Sequence, residues 1–98
     1  MDMGEIRKTE VFAKWIDDLK DVRARARILV KIERLGSGNP GDVKPVGKGV
    51  SELRIDYGPG YRVYYIQRER SVIILLVGGE KSTQDKDIRT ALRLARNL

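Results

Sequence analysis

Three strand-like runs in close succession, VSELRIDY, YRVYYIQ and SVIILLV (residues 50–77), constrain the fold more than any other feature of the chain. Gly58-Pro59-Gly60 separates the first two and Arg68-Glu69-Arg70 the last two, spacings that suit antiparallel hairpins. The third run lacks polar alternation, so it is expected to be buried on both faces and central or nearly so, with Gly78-Gly79 ending it. A three-residue loop at 58–60 sets Tyr57 opposite Tyr61, Ile55 opposite Val63 and Leu53 opposite Tyr65. One face then carries Leu53, Ile55, Tyr57, Tyr61, Val63 and Tyr65; the other carries Glu52, Arg54, Asp56, Arg62, Tyr64 and Ile66. A slip by one residue would mix the two sets, which favours this register. Arg54 then faces Tyr64, and Arg62 faces Asp56. Ion pairs of this kind on a solvated sheet face contribute less than about 1 kcal/mol each. The same groups also suit RNA, because guanidinium grips phosphate in a fork and tyrosine offers a stacking face. The hairpin alone leaves both readings open.

The rest of the chain reads as helices around these strands. GEIRK (4–8) forms a short opening strand, and Thr9 is the expected N-cap of a helix whose apolar face is Val11, Phe12, Trp15, Ile16 and Leu19. A second helix runs to about Leu35 with an apolar stripe of Val22, Ala26, Leu29, Ile32 and Leu35. Arg23, Arg27, Lys31 and Arg34 form a row on another face, expected to be solvated. GSGNPGD (36–42) stops the helix and opens a loop that continues through KPVGKG with Lys44 and Lys48. Ser82 or Thr83 caps a final helix with core residues Ile88, Ala91, Leu92, Ala95 and Leu98. The order β-α-α-β-β-β-α predicts an α+β domain, helices packed on a small, largely antiparallel sheet, in one domain over residues 1–98.

Charge narrows the function. Lys and Arg total 20 against 14 Asp and Glu, a net +6 over 98 residues, which points to a polyanionic partner and to nucleic acid first. With no cysteine and no histidine the chain lacks disulfides, thiolate ligands and the usual neutral-pH proton shuttle, so neither a metal site nor a cofactor is expected. The longest apolar run, residues 72–77, is far too short to span a membrane, and the N-terminus lacks the apolar core of a signal peptide; a cytoplasmic location is expected. GGEKS resembles a phosphate-binding loop only superficially, because Glu80 separates Gly79 from Lys81 and position 74 is Ile where that motif needs Gly.

GNPGDVKPVGKGVSELRIDYGPGYRVYY followed by LLVGGEKSTQDKDIRTA resembles small toxins of bacterial toxin–antitoxin modules in the RelE/ParE superfamily. Within it, the HigB-like, phage Gp49-like branch is the most similar, over residues 15–95. The resemblance implies N-terminal helices on a small antiparallel sheet. It also implies an endoribonuclease that cuts mRNA, commonly on the ribosome, and is silenced by a cognate antitoxin, expected to be a helix-turn-helix, HigA-like protein. Cleavage in such toxins is similar to base-promoted transesterification, in which the 2′-hydroxyl attacks the adjacent phosphate. Arginine stays protonated, so Arg62 and Arg54 fit charge stabilisation, with Lys81 after the third run as the next catalytic candidate. Lys44, Lys48 and Tyr64 are the expected RNA-binding residues. Tyr57, Tyr64, Tyr65, Glu80 and Asp85 are the candidates for base and acid, although Tyr57, Tyr61 and Tyr65 fall on the apolar face of the hairpin. Two other readings remain within the resemblance: a ParE-type inhibitor of DNA gyrase, and a non-catalytic module that binds the antitoxin only.

Overall fold

The computed structural model describes residues 4–98. Its elements follow the expected order with one addition: β1 (Glu5–Lys8), α1 (Glu10–Asp18), α2 (Val22–Gly36), β2 (Val43–Gly47), β3 (Val50–Ile55), β4 (Tyr61–Arg68), β5 (Val72–Glu80) and α3 (Gln84–Arg96). The sheet runs β1-β5-β4-β3-β2, antiparallel throughout except for β1, which pairs with β5 in parallel. No described helix is long and apolar enough to cross a membrane.

Side-chain caps start the first two helices, the one at Thr9 as expected. The Thr9 hydroxyl accepts from Phe12 N at 3.0 Å, and the Asp21 carboxylate accepts from Arg23 N and Ala24 N. Thr9 also donates to the Leu76 carbonyl at 2.6 Å, tying the start of α1 to the middle of β5. That carbonyl belongs to a β-bulge: Tyr64 pairs with Val77 and Tyr65 with Leu75, leaving Leu76 as the extra residue. The bulge reverses the face alternation along β5. Ile73 and Leu75 point toward α1 and α2, Leu76 and Val77 toward α3.

The helices form two layers around the sheet. On one face α1 and α2 cover Leu53, Ile55, Tyr61, Val63 and Tyr65 with Phe12, Ile16, Ala24, Ile28, Ile32 and Leu35. On the other, α3 lays Ala91 and the half-buried Ile88, Leu92, Leu94 and Ala95 over Val50, Tyr64, Ile66, Ile74 and Leu76. β5 is buried along its length, as its unbroken apolar run predicts.

Several local expectations are corrected. VKPVG is a strand, β2, hydrogen-bonded to β3, and its Pro45 is tolerated because β2 is the sheet's edge. The β3–β4 loop spans five residues, 56–60, rather than three, so Arg54 lies opposite Arg62, Leu53 opposite Val63 and Ile55 opposite Tyr61. This register differs from the expected one by two, an even shift that keeps the side chains of β3 and β4 on their expected faces, while Asp56 falls in the loop and turns toward α2. The cross-strand Asp56–Arg62 pair accordingly does not form. Gly78 and Gly79 lie within β5, where they permit close packing: a Cβ on Gly78 would strike the Trp15 ring, and one on Gly79 the Asp87 carboxylate. In α2 the buried stripe is Ala24, Ile28, Ile32 and Leu35; Val22, Ala26 and Leu29 are exposed. Val11 and Leu98 are exposed as well, Leu94 taking the packing position expected of Leu98. Thr83 stands at the start of α3, yet its hydroxyl donates to Asp87 at 2.5 Å and caps no helical N–H.

Candidate functional site

The α3 face of the sheet carries every buried charged residue among those described: Glu52, Arg62 and Asp87. Glu52 is on β3, directly opposite Tyr64 on β4 and Lys44 on β2. Its carboxylate, 1% exposed, has two differently dressed oxygens. Oε2 accepts from the Tyr64 hydroxyl at 3.0 Å and from Gln84 Nε2, at the start of α3, at 2.7 Å. Oε1 faces two guanidiniums, with Arg62 Nε at 3.8 Å and Arg54 Nε at 3.9 Å. These last separations are those of ion pairs rather than of hydrogen bonds. Arg54 and Arg62 sit on opposed positions, where like charges repel, and the carboxylate beside both offsets that repulsion.

The surroundings fix the rest. Arg62 Nη1 donates to the Tyr61 carbonyl at 3.1 Å, while its buried Nε has no hydrogen-bond acceptor. Arg54 extends toward solvent, its Nη1 3.9 Å from Asp42. Lys81 follows β5 directly, its N–H donating to the Gly60 carbonyl at 2.7 Å. A Cβ on Gly60 would lie 3.4 Å from Lys81 Cβ and 3.6 Å from Arg62 Nη1, so the β3–β4 loop holds the lysine stem beside the arginine. Burial, then the hydrogen bond to Glu52, drives the Tyr64 phenol well above its ordinary pKa. Tyr64 is therefore a neutral donor at physiological pH.

The expected catalytic residues Arg54, Arg62 and Lys81 thus converge at one end of the sheet. Arg54 and Lys81 are exposed, whereas Arg62 is 7% exposed and lies beneath them. Lys44 is exposed on the same face, one strand beyond Glu52. Lys48 is elsewhere: it occupies the β2–β3 turn with φ 54°, at the far end of β3, about 13 Å along the strand from Arg54. Tyr64 is wholly buried, so it offers no stacking face to a base; α3 covers it. The expected solvated ion pairs around Glu52 are a buried network for the same reason. Tyr61 and Tyr65 are core residues and Tyr57 is half-buried, as their strand parity predicts, with Arg27 stacked 4.6 Å from the Tyr57 ring centroid.

Glu52, Gln84 and Asp87 were not legible as site residues. Glutamate on a polar strand face reads as solvated, and only the seating of α3 shows that it is not. One signal was available: the first turn of α3 follows Lys81 at once, which puts Gln84 near whatever Lys81 approaches.

A small basic α+β domain with two helices on one sheet face, one on the other and a cationic sheet end has the architecture and element order expected of a RelE/ParE-like protein. Residues 14–98 match the family described as phage derived protein Gp49-like (DUF891), and the chain belongs to that family. An uncharacterized protein of Haemophilus influenzae is 51% identical over 94 residues, covering 96% of this chain and 95% of that one. The solution structure of the conserved hypothetical protein HP0894 from Helicobacter pylori is similar with a TM-score of 0.52 at 22% identity. It covers 82% of this chain and 97% of that one, a likeness of fold.

Proposed function

We propose that the chain is the toxin of a type II toxin–antitoxin module, an endoribonuclease of HigB-like type acting on ribosome-bound mRNA and neutralised by a cognate helix-turn-helix antitoxin. Membership of the Gp49-like family supports the reading. The observation that carries it is the pairing of Arg54 and Arg62 with the buried Glu52 carboxylate at the sheet end that Lys81 follows.

In this reading the RNA backbone lies over the end of β3 and β4. The 2′-hydroxyl gives its proton to water as its oxygen attacks the adjacent phosphorus, the bond to the 5′ oxygen breaks, and a cyclic phosphate and a free 5′-hydroxyl result. Arg54 and Lys81 face the phosphorane and stabilise its added negative charge, with Arg62 strengthening the field from below. Glu52 touches no substrate; it holds both guanidiniums in place and, through Gln84, fixes α3 against them. In this reading Lys81 donates the proton to the leaving oxygen. With no histidine in the chain, positioning of the RNA by the ribosome contributes a large part of the acceleration.

The test is expression in cells lacking the antitoxin, with mRNA ends mapped. Growth arrest with cuts inside translated frames is expected, and Arg54→Ala and Arg62→Ala should each lower cleavage by about 100-fold. Arrest with intact mRNA and altered supercoiling would instead indicate gyrase as the target. No arrest at all would indicate a partner-binding module without turnover.

A further inference from the structure

Asp87 is the one buried charge that the cleavage reading leaves without a task. It stands in the first turns of α3, 6% exposed, and forms no ion pair among the described residues. Burying a carboxylate without a counter-charge is costly, so an apolar residue at this position would favour stability. The helix dipole does not call for the burial either, since the exposed Asp85 already places a carboxylate in that turn. The chain nonetheless makes room for Asp87. Gly79 on β5 is bare, and a Cβ there would overlap the carboxylate and lie 3.0 Å from the Thr83 hydroxyl oxygen. Gly79 is directly opposite Arg62 in the β4–β5 ladder, so Thr83 and Asp87 meet β5 at the level of that arginine.

The Thr83 hydroxyl joins this carboxylate to the end of the strand. It accepts from Glu80 N at 3.3 Å and donates to Asp87 Oδ2 at 2.5 Å. The Glu80 carbonyl, 3.2 Å away, competes for the same single proton, and the carboxylate takes it as the nearer and charged acceptor. Between Glu80 and α3 the chain makes one short 3-10 turn, Lys81–Thr83, which begins with Lys81. That turn is therefore held from two sides. Lys81 N–H donates to the Gly60 carbonyl at 2.7 Å, and the Glu80–Thr83–Asp87 relay closes the turn against bare backbone. The Gln84–Glu52 bond is a separate tie, made one residue beyond the turn.

We infer that Thr83 and Asp87 are positioning residues that hold the Lys81 turn beside Arg62, and that neither touches substrate. The consequence for activity rests on the cleavage reading, because a misplacement of about 1 Å can cost about 100-fold in rate. The placement of Lys81 is a property of the free chain and is measurable without RNA.

The experiment compares the full-length chain with Thr83→Val, Thr83→Ser and Asp87→Asn in two readouts. The first is amide hydrogen exchange of the free protein. Thr83→Val is close in size and lacks the hydroxyl; it should speed exchange of the Lys81 N–H by about tenfold and leave amides in the middle of β4 and β5 within about twofold. Thr83→Ser should keep the Lys81 N–H as protected as in the unchanged chain. The second readout is cleavage of mRNA programmed on ribosomes. Thr83→Val should lower kcat by about tenfold or more with KM within about twofold, and Thr83→Ser should restore kcat. Asp87→Asn should fall between them, since it keeps an oxygen acceptor and loses the charge. Unchanged Lys81 exchange in Thr83→Val would overturn the inference, as would an equal rise at every core amide, which marks lost stability without local release. A raised KM with kcat intact would overturn it too, because that is a lost grip on RNA. If the unchanged chain cuts no mRNA while Lys81 exchange responds as expected, the cleavage reading falls and the placement of Lys81 by Thr83 and Asp87 stands.

Discussion

The two faces of the sheet are built on different principles. Toward α1 and α2 the buried set is aliphatic and aromatic, and its polar atoms are phenols at the margin. Toward α3 the sheet buries Glu52 and Arg62 in the same layer as Val50, Ile66 and Leu76, and α3 itself buries Asp87 against it. Replacing a buried ion pair by apolar groups of similar volume is often neutral or stabilising, so stability alone does not call for these residues. The first face holds the chain folded. The second uses part of that stability to hold guanidiniums at fixed positions.

Mutations can break or sharpen this contrast. The largest loss is expected on the apolar face, where Phe12→Ala removes a wholly buried ring and should lower unfolding free energy by about 3–5 kcal/mol in chemical denaturation. On the polar face Glu52→Ala leaves Arg62 buried without a counter-charge and should cost about 3 kcal/mol. The distinction between the faces is lost if Glu52→Ala proves neutral. Tyr64→Phe keeps the ring and removes one donor to Glu52, for a loss of about 1–2 kcal/mol.

Alkaline pH adds a test without mutation. Burial raises the pKa of Tyr61, Tyr64 and Tyr65 above the ordinary 10.0. The unfolded chain then loses protons first, so this contribution to stability is complete below about pH 10 and falls as pH rises beyond it. Tyr64→Phe should flatten the decline measured by denaturation between about pH 9 and 11. The smallest effect is reserved for Leu29→Ser, expected to stay within about 0.5 kcal/mol because that side chain is exposed. Ile28→Ala, one residue away and fully buried, should cost about 2–5 kcal/mol.

That neighbouring pair also shows what the chain reveals of its own fold. Periodicity placed α1, α2 and α3 and the three long strands, because burial on one face imposes it. On α2 it placed Ile32 and Leu35 correctly but put Val22, Ala26 and Leu29 where Ala24 and Ile28 are buried, since both sets have helical spacing and only the packing partner distinguishes them. β2 was hidden by Pro45 and Gly47, residues that weaken strand signals yet are acceptable at a sheet edge. In the hairpin, loop length was misjudged, but strand parity placed Arg54 and Arg62 on one face because it survives an even shift. The approach of Lys81 and the burial of Glu52 depend on where β5 ends and α3 sits, which are tertiary facts.

The bulge at Leu76 has a mechanical consequence. By reversing the alternation just before Gly78 and Gly79, it turns one bare position toward Trp15 on α1 and the next toward Asp87 on α3. Between those two helices stands a single peptide backbone with no side-chain spacer. A displacement of α3 there has no soft layer to absorb it, so it is transmitted across the sheet to α1. The two glycines thereby make this stretch of β5 a rigid link between the two layers.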